Sequence, residues 1–296
     1  IEGECTFNWP NAHTLIKEEC HAVRNGVAIF DQSYFGKFYL SGKDALKSLQ
    51  YICSANMDLK CGKKGQVVYT TLCNYNGGVE ADLTVTNCGN DTFYIAAGGN
   101  TMTKDYDWID KHLYAFCHNN TSNDGGKNMM STNTPNIDLK LVDRSNDMTM
   151  ISIQGPYSRK VLELCCNNED DNNINSTFSN ETFPFTTMRF INFQGIESPV
   201  MCLRLTFVGE TGFELHVENK DAKTIYDLIK TRGASHGIKD AGYRSIDSLS
   251  AEKNYRHWHS DLSNKDTPME AGIGFTASMD VNFIGRDALL KRHKNG

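Results

Sequence analysis

The residues best suited to acid–base chemistry lie in the stretch 67–86, which reads VVYTTLCNYNGGVEADLTVT. Polar and apolar residues alternate on both sides of Asn76-Gly77, a dipeptide that readily takes the positive φ angles of a tight turn, so the stretch predicts a β-hairpin. With that dipeptide as the loop, Thr71 pairs with Asp82, and the Tyr69 phenol lies diagonal to the Asp82 carboxylate. A carboxylate in this setting can accept a proton or orient an amine.

The two faces of the predicted hairpin differ in character. One face is apolar and is predicted to belong to the core; it carries Val68, Leu72, Ala81, Leu83 and Val85. The other face combines a phenol, hydroxyls and two carboxylates; it carries Tyr69, Thr71, Cys73, Glu80, Asp82 and Thr84. Periodicity alone favours a solvent-facing surface for this second face, and the polar wall of a site is the alternative interpretation.

Other candidate sites are weaker. His257-Trp258-His259 with Asp261 has the residue types of a metal site but lacks further ligands, so we predict a hydrogen-bonded surface turn and no metal. Glu214, taken alone, is typical of an exposed strand carboxylate. The chain contains neither a phosphate-binding glycine motif nor a G-x-S-x-G nucleophile motif.

The elements that position these residues are predicted from periodicity and turn signals. The predicted elements before the middle of the chain are helix 12–24, strands 26–30 and 35–40, helix 45–53 capped at Ser41, the first hairpin, strand 92–96 and helix 103–116. Those after it are strand 148–154, a helix that follows Gly155-Pro156, a second hairpin at 201–217, helix 221–235, a helix that begins near Ser245, and helix 283–290. In the second hairpin, a turn at 209–212 pairs Val208 with Phe213 and puts Phe207 opposite Glu214.

The order of these elements repeats, which predicts an α+β fold of two related units. We place the units at about 26–117 and 137–240, after a lead-in at 1–25 and before a closing segment at 241–296. Two polar, Asn-rich insertions at 118–136 and 167–180 interrupt the pattern.

Composition narrows the class of protein. The chain has 296 residues and a formal net charge of −6, without a long basic run, so we expect no nucleic-acid partner. It has no apolar stretch long enough to span a membrane, so we expect no membrane partner. Its ten cysteines are scattered without C-x-x-C spacing, which favours buried free thiols in a reducing compartment.

Eight stretches spread over nearly the whole chain resemble one known family: FGKFYLSGKDAL, VVYTTLCNYNGGVEADLTVT, MISIQGP, FPFTTM, RLTFVGETGFELHV, GYRSIDSLSAEKNYRHWHSDL, TPMEAG and FIGRDAL. The family is that of the folate-binding aminomethyltransferases, whose glycine-cleavage T-protein module also forms the C-terminal half of sarcosine and dimethylglycine dehydrogenases. The stretches SYFGKFYL, MISIQGP and NYRHWH are most similar to the sarcosine dehydrogenase branch.

The resemblance implies an aminomethyltransferase fold in which β-hairpins surround a central tetrahydrofolate channel. It implies transfer of a methylene group from an iminium intermediate to tetrahydrofolate, giving 5,10-methylenetetrahydrofolate and glycine. In the dehydrogenases a flavin domain with FAD precedes this module and a β-barrel domain follows it, and we expect both to be absent from this stretch. The resemblance implies that the protein is located in the mitochondrial matrix if its source is a eukaryote and in the cytoplasm otherwise.

The resemblance also assigns roles to individual residues. By it, Asp82 is the catalytic carboxylate, while Tyr69 and Thr84 contact folate on the same hairpin. Glu214 hydrogen-bonds the pterin ring, and Phe207 stands where the family usually has Tyr, so it keeps stacking and loses a hydroxyl contact.

One position departs from the glycine-cleavage enzymes. These carry an Arg just before an Asp-Ser or Asp-Thr pair, whereas this chain has Ile246 there, and Arg244 is the candidate to replace it as a folate contact.

Three alternatives within the superfamily remain. They are a non-catalytic regulatory relative like the regulatory subunit of pyruvate dehydrogenase phosphatase, the iron–sulfur assembly branch, and a stand-alone glycine-cleavage T-protein. The second is disfavoured because its K-G-C-Y-x-G-Q motif is missing, and the third because of RHWHSDL and the missing Arg.

Overall fold

A computed structural model describes residues 9–119, 137–166 and 177–294 of the chain. In chain order the helices and strands are α1 (His13–Asn25), β1 (Ala28–Asp31), β2 (Gly36–Ser41), α2 (Ala45–Ile52), α3 (Met57–Cys61), β3 (Val67–Cys73), β4 (Val79–Gly89), β5 (Thr92–Ala97), α4 (Met102–Asn119), β6 (Lys140–Asp143), β7 (Met148–Gln154), α5 (Ser158–Cys165), β8 (Met188–Ile191), β9 (Val200–Leu203), β10 (Gly212–Glu218), α6 (Asn219–Gly233), β11 (Lys239–Ala241), α7 (Tyr243–Glu252) and α8 (Arg286–Lys294). The predicted Asn-rich insertions fall largely outside the described residues. None of the helices described is long and apolar enough to cross a membrane.

The chain divides into two compact units. The first unit comprises the described parts of Ile1–Ser33 and Asp147–Tyr255, and the second comprises those of Tyr34–Asn146 and Arg256–Gly296. Both units are therefore discontinuous in sequence, unlike the consecutive units predicted at about 26–117 and 137–240. Strand pairing gives the reason, because β1 pairs with β7 on one side and with β11 on the other.

The first unit is built on a six-stranded sheet in the order β11-β1-β7-β10-β9-β8. Strands β1 and β11 are parallel, and the other neighbours are antiparallel. One face of this sheet packs apolar residues against α5 and α6, including Ile153, Phe213 and Ile225. This packing leaves Glu214, which alternates with Phe213 and Leu215, on the opposite face.

Phe213 is a test of this core, because its buried ring contacts Phe178 and Phe183 with centroids 5.2 Å and 5.6 Å away. We expect Phe213→Ala to lower the free energy of unfolding by about 3–5 kcal/mol, since it leaves a cavity among rigid neighbours. The midpoint of urea unfolding measures this loss. Leu164→Ala, at a position that is 42% exposed, is the matched control and is expected to cost far less.

The second unit is built on an antiparallel five-stranded sheet in the order β3-β4-β5-β2-β6. The predicted core face of the first hairpin is confirmed, since Val68, Leu72 and Leu83 are buried among residues of α2, α3 and α4. Helix α2 begins differently from the prediction. Its N-cap is Asp44, which makes no side-chain capping bond, and Ser41 is the last residue of β2.

The turn of the first hairpin is longer than predicted. The register shifts after Leu72, so Cys73 pairs with Val79, and the predicted two-residue loop becomes the loop 74–78. The Asn74 side chain explains the shift, because its Oδ1 accepts hydrogen bonds of 3.0 Å from the backbone N–H groups of both Asn76 and Gly78. An Asx turn of this kind replaces the tight Asn-Gly turn.

Candidate active site

Tyr69 and Asp82, the two residues of the first hairpin that were predicted to lie close together, are in the second unit. Tyr69 stands opposite Thr84 and Thr71 opposite Asp82, as the alternation predicts. The Tyr69 hydroxyl donates a hydrogen bond of 2.8 Å to Asp82 Oδ2. Three of the six predicted site residues, Tyr69, Asp82 and Thr84, therefore lie together, each half-buried.

The face that carries this pair is not the solvent-facing surface that periodicity alone favours. Thr71 and Cys73 are fully buried. Thr71 Oγ1 lies within hydrogen-bonding distance of Ser54 Oγ at 2.7 Å and of Thr276 Oγ1 at 3.3 Å, and Cys73 packs against Phe283. The closing part of the chain thus covers this face, a long-range contact that strand periodicity does not reveal.

Burial governs the electrostatics of the pair. It raises the pKa of the Asp82 carboxyl, and the Tyr69 hydroxyl and the positive charges of His257 and Lys104 oppose the shift. Burial, followed by the Asp82 charge, raises the pKa of Tyr69 well above its ordinary value. Tyr69 therefore remains a hydrogen-bond donor at neutral pH, while Asp82 is a stronger base than an exposed carboxylate.

Helix α4 adds a lysine that the sequence analysis missed. Lys104 Nζ lies 3.6 Å from the centroid of the Trp258 ring, 3.6 Å from Glu80 Oε1 and 3.5 Å from Asp105 Oδ1. It also donates a hydrogen bond to the backbone carbonyl of Glu80, two residues before Asp82 on β4. An ammonium group with this many partners is held in place rather than free in solvent.

Its neighbour Asp105 is a second buried carboxylate. It is 1% exposed, and Thr101 Oγ1 donates to its Oδ2 at 2.6 Å. Burial raises the pKa of Asp105 to about 6, with the Asp82 charge adding to the increase and Thr101 and Lys104 opposing it. The signal for this residue was present in the sequence, because Asp105 shares the helical stripe of the apolar residues Met102, Ile109 and Leu113.

The raised pKa of Asp105 predicts a pH-dependent stability. Its folded-state pKa of about 6 lies above the reference of 3.8, so the folded state binds the proton more tightly and Asp105 destabilises the fold at neutral pH. We expect Asp105→Asn to raise the unfolding temperature above pH 6 and to lose this advantage as the pH falls towards 3.8. Thermal unfolding at a series of pH values measures it, and a difference that stays constant from pH 4 to 7 would contradict the assignment.

The His257-Trp258-His259 motif forms the predicted hydrogen-bonded turn. Asp261 Oδ2 accepts from the backbone N–H of His257 at 2.8 Å, and His259 donates its own N–H to Leu262 at 2.8 Å. Trp258 Nε1 donates to the carbonyl of Val79 at 2.8 Å, which anchors the ring at the start of β4. In the described part of the chain, no group of three or more His, Cys, Asp or Glu side chains is arranged to hold a metal ion.

Glu214 lies in the first unit, on β10, and is only 8% exposed. The expectation of an exposed strand carboxylate is therefore wrong for this residue. Its Oε2 lies 3.8 Å from His216 Nε2, a pair that is ionic only when the imidazole is protonated. Among the described residues, no hydrogen bond to this carboxylate is formed, so its oxygens suit a ligand with N–H donors.

Phe207 does not lie opposite Glu214, as the predicted second hairpin requires. Leu203 takes that place, and residues 204–211 leave the sheet as a loop between β9 and β10. Phe207 instead faces Tyr255, with ring centroids 5.8 Å apart.

A long-range contact explains the loop. Arg24 of α1 donates to the carbonyl of Val208 at 2.5 Å and pairs with Glu210 at 3.0 Å and Glu252 at 2.7 Å. The Thr206 hydroxyl also accepts from the backbone N–H of Val208 at 3.3 Å, as in a turn. These bonds replace the ladder that local alternation predicts.

Arg244 is exposed on α7, also in the first unit. Ile246, at the position of the glycine-cleavage Arg, is buried and packs with Val23 and Leu249. The predicted site residues thus fall into two groups. Tyr69, Asp82 and Thr84 belong to the second unit, and Phe207, Glu214 and Arg244 belong to the first.

Comparison with known proteins identifies the family. The model of the GCVT N-terminal domain matches residues 4–281 of the chain. The chain belongs to the GCVT N-terminal domain family.

Its relatives include two kinds of enzyme. Mitochondrial sarcosine dehydrogenase of Homo sapiens is 38% identical, over 100% of this chain and 30% of its own length. The aminomethyltransferase of Halothermothrix orenii is 31% identical, over 98% of this chain and 71% of its own length. The chain thus spans less than a third of the sarcosine dehydrogenase.

A solved structure establishes the fold. The aminomethyltransferase T of the glycine cleavage system from Bartonella henselae matches with a TM-score of 0.73 at 20% identity, covering 95% of this chain and 67% of the other. The α+β aminomethyltransferase fold predicted from the sequence is confirmed.

Proposed function

We propose that this chain is the folate-binding half of a sarcosine dehydrogenase-like oxidative demethylase. In this role it transfers the methylene group of a sarcosine-derived iminium to tetrahydrofolate, giving 5,10-methylenetetrahydrofolate and glycine. The 38% identity to sarcosine dehydrogenase over the full chain supports the choice of this branch over a stand-alone aminomethyltransferase.

The observation that carries the proposal is the Tyr69–Asp82 pair. A half-buried carboxylate with a raised pKa, held by a phenol that stays protonated, is a base suited to an amine proton. The pair also argues against a regulatory relative with a decayed site, because both residues are present and the Tyr69 hydroxyl donates a hydrogen bond to Asp82.

Tetrahydrofolate, when bound, supplies two amine nitrogens that take over the methylene carbon, and their two protons leave with glycine as part of its ammonium group. Asp82 accepts one of these protons, is transiently a neutral carboxylic acid, and passes the proton to the departing glycine nitrogen, which regenerates the carboxylate. Tyr69 orients Asp82 through its hydrogen bond, and Thr84, opposite Tyr69 in the ladder, contacts the ligand from the same strand as Asp82.

The described residues fit the pterin ring through Glu214. This carboxylate is nearly buried, and its oxygens accept no hydrogen bond within the described parts of the chain. A group of N–H donors satisfies such a carboxylate and offsets the cost of its burial. In the first unit we further assign Phe207 a stacking contact and Arg244 a polar contact with the folate.

The oxidation that supplies the iminium is assigned to another part of the polypeptide. We propose an FAD-containing flavin domain of the same chain as the partner, as in a sarcosine dehydrogenase. The human and mouse relatives carry mitochondrial names, which supports the mitochondrial matrix in a eukaryote, and the cytoplasm is the counterpart in a bacterium.

Calorimetric titration of the chain with a reduced folate tests the binding half of the proposal. Saturable binding at one site is the expected result. Absence of binding to a chain that circular dichroism shows to be folded would contradict the proposed function. Transfer that requires a lipoyl carrier protein would instead favour a stand-alone glycine-cleavage enzyme.

A further inference from the structure

The residues around Asp82 include charges that the proposed reaction does not yet use. Lys104 contacts three groups of the second unit at once: the Trp258 ring, Glu80 and Asp105. Trp258 is itself fixed by its bond to Val79. The arrangement is costly for a lysine, whose flexible side chain loses rotamer freedom in every fixed position. A role beyond solubility is therefore indicated.

We propose that Lys104 is a positioning residue for Asp82: Trp258 and Glu80 hold its ammonium group so that its positive charge keeps Asp82 ionised and ready to accept a proton. The inference rests on the proposed function, because the proton concerned is the one that leaves the amine nitrogen during transfer. It also gives a role to the RHWH motif, which supplies Trp258 as the platform for the lysine.

The geometry supports this step. Lys104 donates to the backbone carbonyl of Glu80, and the side chains of Glu80 and Asp82 project from the same face of β4. The ammonium charge is therefore fixed along the strand that carries Asp82. In a half-buried setting, where water screens weakly, a fixed charge of this kind acts more strongly than at an exposed surface.

Asp105 has the opposite effect. Its carboxylate lies 3.5 Å from Lys104 Nζ, and its negative charge opposes the ionisation of Asp82, just as the Asp82 charge adds to the raised pKa of Asp105. When Asp82 accepts a proton, this repulsion disappears and Asp105 ionises more readily. The titrations of the two carboxylates are therefore coupled by their mutual repulsion.

The charged groups placed around Asp82 in the described part of the chain enter the test, including Glu80 on the same face of β4. Tyr69 on β3 donates to it, His257 of the turn and Lys104 of α4 contribute positive charge, and Asp105 contributes negative charge. Lys104 and Asp105 carry charges of opposite sign on the same helix, so their replacement shifts the titration of Asp82 in opposite directions. A general loosening of the site cannot produce that pattern.

The experiment follows the Asp82 carboxyl by ¹³C NMR during pH titration of the purified chain without folate, with Asp82→Asn to assign the signal. We expect Lys104→Met to move the midpoint to higher pH, Lys104→Arg to restore it, and Asp105→Asn to move it to lower pH. Lys111→Met, at an exposed position of the same helix, is the matched control and leaves it unchanged. An unchanged midpoint in Lys104→Met, or shifts of the same sign in Lys104→Met and Asp105→Asn, would overturn the proposal.

A second readout separates this inference from the proposed function. In the pH profile of methylene transfer, the decrease in rate on the acidic side is expected to begin at higher pH in Lys104→Met and at lower pH in Asp105→Asn. If the NMR midpoints move as expected but the polypeptide that contains this chain supports no transfer, in native form or as any variant, the proposed function fails while the effect of Lys104 on the charge of Asp82 stands. If transfer occurs and both profiles match that of the native chain, the role of Lys104 fails alone.

Discussion

Replacing Asp82 with Asn is expected to slow methylene transfer severely while leaving folate binding largely intact. The amide keeps the size of the side chain and can still accept the hydrogen bond from the Tyr69 hydroxyl, whose oxygen lies 2.8 Å from Asp82 Oδ2 in the native pair. It cannot accept the amine proton at neutral pH. The loss of a general base predicts a decrease in transfer rate of about 100- to 10,000-fold.

The measurement is the rate of 5,10-methylenetetrahydrofolate formation by the polypeptide that contains this chain, with folate affinity determined by calorimetry on the same variant. Asp58→Asn, at an exposed position of α3 in the same unit, is the matched control. Equal transfer rates in native chain and Asp82→Asn would reject Asp82 as the base. Loss of folate affinity alone would make it a binding residue instead.

Replacing Glu214 has a different expected effect, because we propose that its role is to bind the pterin. Glu214→Gln keeps the shape of the side chain but exchanges one acceptor oxygen for a donor, and Glu214→Ala removes both oxygens. We expect folate affinity to fall by about 10- to 100-fold, the ~1.5–3 kcal/mol of a hydrogen bond to a charged group. Transfer at saturating folate is expected to change much less.

Calorimetry compares these variants with Glu218→Gln, an exposed carboxylate at the end of the same strand. The control is expected to bind folate like the native chain. An equal affinity in Glu214→Ala would show that the buried carboxylate serves the fold, through its 3.8 Å contact with His216, rather than the ligand.

The first hairpin shows what local sequence can predict. Strict alternation and a turn dipeptide fix which residues face each other, so the Tyr69–Thr84 and Thr71–Asp82 pairs follow directly. The loop differs because Asn74 offers its side chain to two backbone N–H groups, and its own amide donates to the carbonyl of Asn264 at 2.9 Å. A contact across that much sequence has no local signal.

The prediction of the second hairpin was wrong for the same physical reason. The stretch TFVGETGF alternates and contains glycines, so local rules predict a turn. Arg24, more than 180 residues away, holds the segment outside the sheet through Val208 and Glu210. Local propensity therefore gave way to tertiary contacts, and the place of Phe207 could not be derived.

The charged residues of the second unit could be predicted from the sequence only in part. Asp105 interrupts the apolar stripe of α4, and this pattern alone indicates a buried acid. The role of Lys104 could not be found this way, since lysines next to such a stripe are usually solvated. Its role follows only from the contacts with Trp258 and Glu80.

The most direct test of the proposed function follows the methyl carbon of sarcosine. The polypeptide that contains this chain is supplied with sarcosine labelled with ¹³C in its methyl group, tetrahydrofolate, and a trap for free formaldehyde. We expect the native protein to place the label in 5,10-methylenetetrahydrofolate, whereas Asp82→Asn oxidises sarcosine at the same rate and releases the label as trapped formaldehyde. If the label appears in the trap to the same extent in both proteins, this chain does not transfer the methylene group.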